Sequence, residues 1–226
     1  MKRDLRASRS RGRRCVFAAA ALLSLNSSAF AAILIGNLPQ PNDGDGTQIS
    51  AANPENQKAL SFTVSNAPFD VSSIDLRLSG YRTSSGDVAS VGIYGDNGGT
   101  PGSLIGSIFN SPASASGNVG TFSFSGSATL EPNTRYWLVV DATAGDYYWR
   151  GASPAVAPSG AATFGSYLLS TDNGATYVPS DVANSFQINS ATPVPEPAEI
   201  TIAASIGLIG FAAFRRIRAK HSIPAI

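Results

Sequence analysis

The chain has 226 residues and a nearly balanced charge, with 16 lysine and arginine residues against 15 aspartate and glutamate residues. Its one cysteine, Cys15, and its one histidine, His221, lie close to the two ends. The long segment between them therefore has no disulfide, no Ser-His-Asp triad and no zinc site of the usual His/Cys kind.

The first 31 residues have the three parts of a secretory signal peptide. Seven lysine and arginine residues precede an apolar core from Val16 to Leu25, and Ala29-Phe30-Ala31 is a small-x-small cleavage site. The core is too short to span a membrane permanently. Residues 1–31 are thus predicted to form a signal helix that is removed during export, with Ala29 and Ala31 defining the cut. Arg13-Arg14 leaves the twin-arginine route as an alternative to general secretion.

Residues 32–190 are long enough for one domain with a substantial core. Short apolar runs recur along this segment, several of them alternating with polar residues, and turn-forming clusters separate them. The pattern predicts an all-β domain, an antiparallel two-sheet β-sandwich of jelly-roll-like topology. The predicted strands are Ala59–Ser65, Ser73–Leu78, Val88–Tyr94, Leu104–Phe109, Thr121–Phe124, Tyr136–Asp141, Tyr147–Arg150, Thr163–Leu169 and Asn184–Ile188.

One loop of this domain has the spacing of a calcium site. Residues 42–48 read Asn-Asp-Gly-Asp-Gly-Thr-Gln, with oxygen-bearing side chains at alternate positions. Asp43 and Asp45 are the candidate ligands, and calcium is the one cofactor that the sequence suggests. The distal glutamate of an EF-hand is missing, and Asp-Gly pairs also form ordinary turns. A plain loop is the alternative, and the same choice holds for the turn Asp96–Gly99.

An aromatic strand, Tyr147-Tyr148-Trp149-Arg150, is the candidate carbohydrate site. Aromatic rings can stack on the apolar faces of sugars. Alternation in a strand places Tyr147 and Trp149 on one face and Tyr148 on the other. Tyr147 and Trp149 are therefore predicted either to bind sugar or to belong to the core.

Catalysis is not predicted. A glycosidase needs two carboxyl groups held about 5–9 Å apart across a cleft. The carboxylates between residues 32 and 190 are scattered among turns and strand edges, and the only glutamates there, Glu55 and Glu131, each adjoin a proline. A glycan-acting enzyme is the least favoured alternative.

Most of residues 35–190 resembles the choice-of-anchor domains, in particular type R. The similarity rests on a glycine-rich hairpin at 93–104, a loop entering a buried strand at 130–140, the aromatic strand at 147–150 and a hairpin at 170–177. These domains precede various surface-sorting tails in bacteria. The resemblance implies a fold and a location, but it supplies no catalytic residues.

The C-terminal segment has three parts in a fixed order. Residues 191–199 form a proline-rich linker containing Val194-Pro195-Glu196-Pro197. Residues 200–220 combine an uncharged apolar run up to Phe214 with a basic cluster at Arg215, Arg216 and Arg218, and a short tail, 221–226, follows. The apolar part predicts a transmembrane helix of roughly 25 Å. The basic cluster would stay on the cytoplasmic side.

This order of parts resembles the PEP-CTERM sorting signal of Gram-negative bacteria. The resemblance implies recognition by an exosortase, a membrane cysteine protease, with a cut near Pro195-Glu196-Pro197. It further implies transient anchoring in the inner membrane and delivery to the cell surface or the extracellular polysaccharide matrix. Glu199 at the mouth of the span and the tail beyond the basic cluster depart from the pattern. An ordinary single-pass anchor is the alternative.

Loss of both ends would change the net charge. Residues 32–197 contain 5 basic and 13 acidic residues, a net charge of −8. A negative domain is unsuited to nucleic acid, which requires a basic face. The sequence therefore predicts an exported, non-catalytic surface or matrix protein, with exopolysaccharide as a possible partner. A carbohydrate-binding module, assisted or not by calcium, is the alternative.

Overall fold

The computed structural model describes residues 32–52 and 54–190. The predicted signal helix with Ala29 and Ala31, the linker with Val194–Pro197, and the apolar run with Arg215, Arg216 and Arg218 lie outside these residues. Within the described ranges, no helix has the length and apolar character needed to cross a membrane.

The regular secondary structure of the described chain is almost all β-strand. A single short 3₁₀ turn, Thr83–Ser85, interrupts the described strands. The strands are Ile33–Gly36 (β1), Asp45–Ser50 (β2), Gln57–Thr63 (β3), Phe69–Ser79 (β4), Val88–Asn97 (β5), Thr100–Phe109 (β6), Gly120–Leu130 (β7), Arg135–Ala144 (β8), Asp146–Gly151 (β9), Ser159–Gly160 (β10), Thr163–Ser170 (β11), Val178–Pro179 (β12) and Phe186–Ser190 (β13).

The strands form two antiparallel sheets. In the seven-stranded sheet the order is β10-β1-β13-β4-β9-β2, and β7 pairs with β4. One edge of β4 carries β7, while β13 and β9 share its other edge. The six-stranded sheet has the order β12-β11-β3-β8-β5-β6. The prediction of an all-β, two-sheet antiparallel domain is confirmed.

A dry core lies between the two sheets because the strands alternate apolar and polar side chains. In β4, Ile74, Leu76 and Leu78 are fully buried. They lie with inward residues from both sheets, such as Leu138 and Phe186, in one hydrophobic cluster. The alternation of Ile74, Leu76 and Leu78 with Asp75 and Arg77 is the period of two that identified this strand in the sequence.

All nine predicted strands overlap observed ones, and both predicted hairpins exist. In the β5–β6 hairpin, Asn97 pairs with Thr100 across a two-residue turn. Gly98 and Gly99 have φ of 63° and 94° in that turn. Positive φ at both central residues defines a type I′ turn, which matches the twist of the strands, and glycine adopts it without a steric penalty. The β11–β12 pairing closes the second hairpin.

Candidate functional site

The predicted calcium loop is occupied by an ion pair. The Asp43 carboxylate accepts hydrogen bonds from Arg77 Nε at 2.9 Å and from Arg77 Nη2 at 2.8 Å, and it also accepts one from Gln40. The hydrogen bonds from Arg77 hold the pKa of Asp43 below its ordinary value. Asp43 would have to leave Arg77 before it could bind a cation.

Asp45 does not belong to a loop. It begins β2, where it pairs with Gly151, and its Oδ1 accepts the backbone N–H of Gly46. In the described part of the chain, no three His, Cys, Asp or Glu side chains are grouped so as to hold a metal ion. At the second candidate turn, Asp96 instead accepts hydrogen bonds from Trp137 Nε1 at 2.7 Å and from Gly99 N at 3.3 Å.

Of the two alternatives for Tyr147 and Trp149, sugar binding or a place in the core, the structure supports the core. Tyr147 is 1% exposed and Trp149 is 0% exposed, and both belong to the core between the sheets. Trp149 Nε1 donates to Ser185 O at 2.8 Å, and Tyr147 Oη donates to Asp141 O at 2.7 Å. Neither ring can stack on a sugar, because both faces are covered by protein. The sequence placed these two residues on one face correctly, and that face is the core.

The outer faces of the two sheets differ in chemistry. On the seven-stranded sheet the outward residues are polar and bond to one another. Asn189 Nδ2 donates to Ser73 Oγ at 3.0 Å and to Asp75 Oδ2 at 2.9 Å, and the Asp43–Arg77 pair extends this polar surface. Tyr148 is exposed there, with the Arg150 guanidinium 5.1 Å from its ring centroid.

The six-stranded sheet instead carries a second, smaller apolar cluster on its outer face. Ala59, Trp137, Val139 and Leu168 form it, and the half-buried Tyr94 and Tyr177 pack against it. Cross-strand register explains the grouping, since Tyr94 pairs with Trp137 and Ala59 pairs with both Val139 and Leu168. The exposed Leu104 lies opposite Tyr94 on the neighbouring strand.

A cleft of about 210 Å³ opens on this outer apolar cluster. Two tyrosines from distant parts of the chain, Tyr94 of β5 and Tyr177 next to β12, line it together with Val139. Gly102 and Gly174, which lack side chains, also line the cleft. We call it the outer-face cleft. The other polar lining residues that matter here are Gln57, Asp141 and Asn173.

The polar residues of the cleft form an ordered chain. Tyr177 Oη donates to Gln57 Oε1 at 3.0 Å, and Gln57 Nε2 donates to Asn173 Oδ1 at 2.8 Å. Gln57 is largely buried, and its amide holds the Tyr177 and Asn173 side chains in place through these two bonds. Asp141 Oδ1 accepts the Ala142 backbone N–H at 2.8 Å. The cleft is therefore lined by hydrogen-bond donors and acceptors of the kind that a polar ligand uses.

Burial shapes the electrostatics of the cleft. It raises the pKa of Asp141, and a contribution from Glu55 acts in the same direction. It also raises the pKa of Tyr94, and that of Tyr177 to about 12. Both tyrosines are therefore neutral donors at physiological pH. Of the described residues that line the cleft, Asp141 alone carries a carboxylate and none carries a cation.

No family model and no curated protein matches this chain. The outer-face cleft was not predicted from the sequence. Tyr94 and Tyr177 are 83 positions apart and neither stands in an aromatic run. The cross-strand register and the conformation of the β11–β12 hairpin bring them to one surface. A single sequence predicts that such a hairpin exists, but not which strands its residues will face.

Proposed function

We propose that the protein is a non-catalytic, exported surface or matrix protein, sorted by an exosortase through its C-terminal signal. The observation that carries the proposal is the order of segments. The pattern of an export signal stands at 1–31, and Pro195-Glu196-Pro197, the apolar run and the basic cluster stand at 191–220. By this proposal the helix of residues 200–220 anchors the chain transiently in the inner membrane. The chain then reaches the cell surface or the polysaccharide matrix.

The architecture of the described domain supports removal of both ends. The first and last strands, β1 and β13, are hydrogen-bonded neighbours, with Ile33 opposite Asn189. The pairings of both sheets lie within residues 33–190. A cut after Ala31 and another near Pro195 would therefore break no described strand pairing.

We further propose that the domain has a jelly-roll-like topology, and the strand order supports this. Four strands of one sheet follow the order β1-β13-β4-β7, and four of the other follow β3-β8-β5-β6. Successive strands thus cross repeatedly between the sheets, as in a double Greek key. The remaining strands, β2 and β9 to β12, add to the edges of this frame.

A non-catalytic role is supported by the side chains that the domain offers. Asp43, Asp96 and Asp172 are each held in local hydrogen bonds with arginine, indole, hydroxyl or backbone partners. The net charge of −8 on residues 32–197 favours solubility outside the cell.

Mass spectrometry of the C-terminus tests the proposal in cells with and without an exosortase. We expect the chain to end near Pro197 only when the enzyme is present. The variant Pro195→Ala with Glu196→Ala should retain residues 198–226 and stay in the inner membrane. Pro193→Ala with Glu199→Ala is the matched control, because it removes one proline and one glutamate beside the triplet. An intact tail in the presence of the enzyme would contradict the proposal and would favour an ordinary single-pass membrane anchor.

A further inference from the structure

We propose that the outer-face cleft binds a neutral polysaccharide, with Tyr94 and Tyr177 as stacking residues and Gln57, Asn173 and Asp141 as hydrogen-bonding residues. The proposal goes beyond sorting, since it states what the domain holds once it is outside the cell. It also moves carbohydrate binding from the buried Trp149 to the other sheet.

The first argument is the pairing of apolar and polar surface. Pyranose rings present C–H faces that pack on aromatic rings, and hydroxyl edges that need hydrogen bonds. Tyr94 and Tyr177 are half-buried over the apolar cluster of Trp137 and Val139, so their rings are backed by protein. The amides of Gln57 and Asn173 and the Asp141 carboxylate lie on the same cleft.

The second argument is preorganisation. Tyr177, Gln57 and Asn173 are already linked by hydrogen bonds of 3.0 and 2.8 Å. Trp137, the cross-strand partner of Tyr94, is held by its bond to Asp96 at 2.7 Å. Side chains that are held in place before binding lose less conformational entropy when a ligand arrives. Because the cleft loses little entropy on binding, a few contacts to each sugar unit are enough to hold a flexible polysaccharide.

The third argument selects the ligand class. Asp141 in the cleft and Asp172 and Glu55 near it make the surroundings negative. A uronic-acid polymer would place carboxylates against these groups, and like charges disfavour binding. A neutral sugar instead offers hydroxyl donors to the partly desolvated Asp141 oxygens. The cleft volume, about 210 Å³, is below the roughly 300–1,000 Å³ of enclosed small-molecule sites, which suits one unit of an extended polymer.

Calorimetric titration of the full chain in detergent tests the proposal. The probes are the linear hexaoses of glucose, xylose and mannose, a hexamer of galacturonic acid, and calcium chloride. We expect at least one neutral hexaose to bind and the galacturonate hexamer not to bind. Tyr94→Ala and Tyr177→Ala should each weaken binding about tenfold or more. Tyr177→Phe should weaken it less, because the ring is retained while the bond to Gln57 is lost.

Tyr148→Ala is the matched control, because Tyr148 is an exposed tyrosine on the opposite sheet, 41% exposed. It should leave binding unchanged. Asp141→Asn should let the galacturonate hexamer bind more tightly than it binds the unmodified protein. If no neutral hexaose binds, or if Tyr148→Ala and Tyr94→Ala have equal effects, the proposal is wrong. Calcium binding, seen as heat or as a raised melting temperature, that is lost in Asp141→Asn and kept in Asp43→Asn would make the cleft a cation site and would equally overturn the proposal.

A second measurement does not depend on any variant of the cleft. The chain has two tryptophans, Trp137 in the outer apolar cluster against which Tyr94 and Tyr177 pack, and Trp149 in the core. A bound hexaose should shift the Trp137 indole N–H resonance and leave that of Trp149 in place, with Trp137→Phe providing the assignment. Equal shifts of both resonances, or none, would contradict a site on the outer face. Neither result bears on sorting, because the chain is tested with its tail intact.

Discussion

Trp149 and Trp137 lie in two differently built regions of one domain. Trp149 points from β9 into the core between the sheets and donates to a backbone oxygen, Ser185 O. Trp137 of β8 belongs instead to the small apolar cluster on the outer face of the six-stranded sheet, and it donates to the carboxylate of the exposed Asp96. Burial is nearly complete for both, at 0% and 1% exposure. Burial alone therefore does not separate an aromatic residue of the main core from one that lies on the outer side of a sheet.

The largest expected effect comes from removing each indole in turn. Trp149→Ala should lower the free energy of unfolding by about 5 kcal/mol and Trp137→Ala by about 3 kcal/mol, the two ends of the usual range. The first cavity lies in the close-packed core between the sheets, and Ser185 O keeps its bond from Arg77 N but loses the one from the indole. The outer cluster can relax, or solvent can fill the gap. Urea unfolding of the full chain measures both. An equal or reversed order would remove the distinction between the two regions.

Lys58 is a basic side chain buried among the mostly apolar side chains of the core. It lies on β3 with no exposed surface, its Nζ donates to Ser180 Oγ, and it stands 5.5 Å from the Tyr167 ring centroid. Burial lowers the pKa of Lys58 from 10.5 to about 8, against the opposing charges of Asp45 and Asp181. The charged form is thus less favourable in the folded protein than in the unfolded chain.

Lys58→Met should therefore stabilise the protein at pH 7, by up to about 3 kcal/mol. Between pH 8 and 10.5 the unfolded chain binds more protons than the folded one, so the unmodified protein gains stability as the pH rises. The difference between variant and unmodified protein should shrink through that window. Melting temperatures at pH 7, 9 and 10.5 measure it. A difference that does not change with pH would mean that Lys58 is not desolvated.

Two buried tyrosines in contact provide a smaller test. Tyr147 and Tyr81 meet edge to face with ring centroids 5.2 Å apart. Tyr147 Oη donates to Asp141 O at 2.7 Å, whereas the buried Tyr81 hydroxyl has no hydrogen-bond partner among the described residues. Tyr147→Phe should cost about 1 kcal/mol and Tyr81→Phe should be neutral or slightly stabilising. Each variant is a control for the other, because both remove one buried hydroxyl group and the two rings are in contact. Equal losses would indicate that a bound water satisfies Tyr81.

The smallest effect is expected on the polar outer face of the seven-stranded sheet. Asp43→Asn breaks the two-point pair with Arg77 and should cost about 1 kcal/mol or less at neutral pH. The pKa of Asp43 is lowered from 3.8, so the pair stabilises the fold above that pH and its contribution is lost as the pH falls below it. Unfolding free energies measured at pH 7 and at pH 2.5 should show a smaller difference between the two proteins at the lower pH. If calcium stabilised the unmodified protein and not Asp43→Asn, the loop would be a cation site after all.

The sequence predicted the strands well where apolar and polar residues alternate or apolar runs are bounded by turns. It missed β2, because Asp45-Gly46 has turn chemistry and only pairing with β9 makes it a strand. It also missed β1, four residues directly after the predicted signal. The period of two placed Tyr147 with Trp149, yet it could not say which face the second sheet covers. The meeting of Tyr94 and Tyr177 depends on the register of four strands and on one hairpin, so the sequence alone did not predict it.

The neighbouring position of β1 and β13 has a mechanical consequence. Ile33 and Asn189 face each other across one antiparallel pair, so the domain begins and ends within about 5 Å of the same point. A force that draws the two ends apart would open that pair like a zipper, bond by bond, rather than shear it. The same proximity would let a few added residues join Ser190 to Ile33, with new ends opened at the Gly98-Gly99 turn.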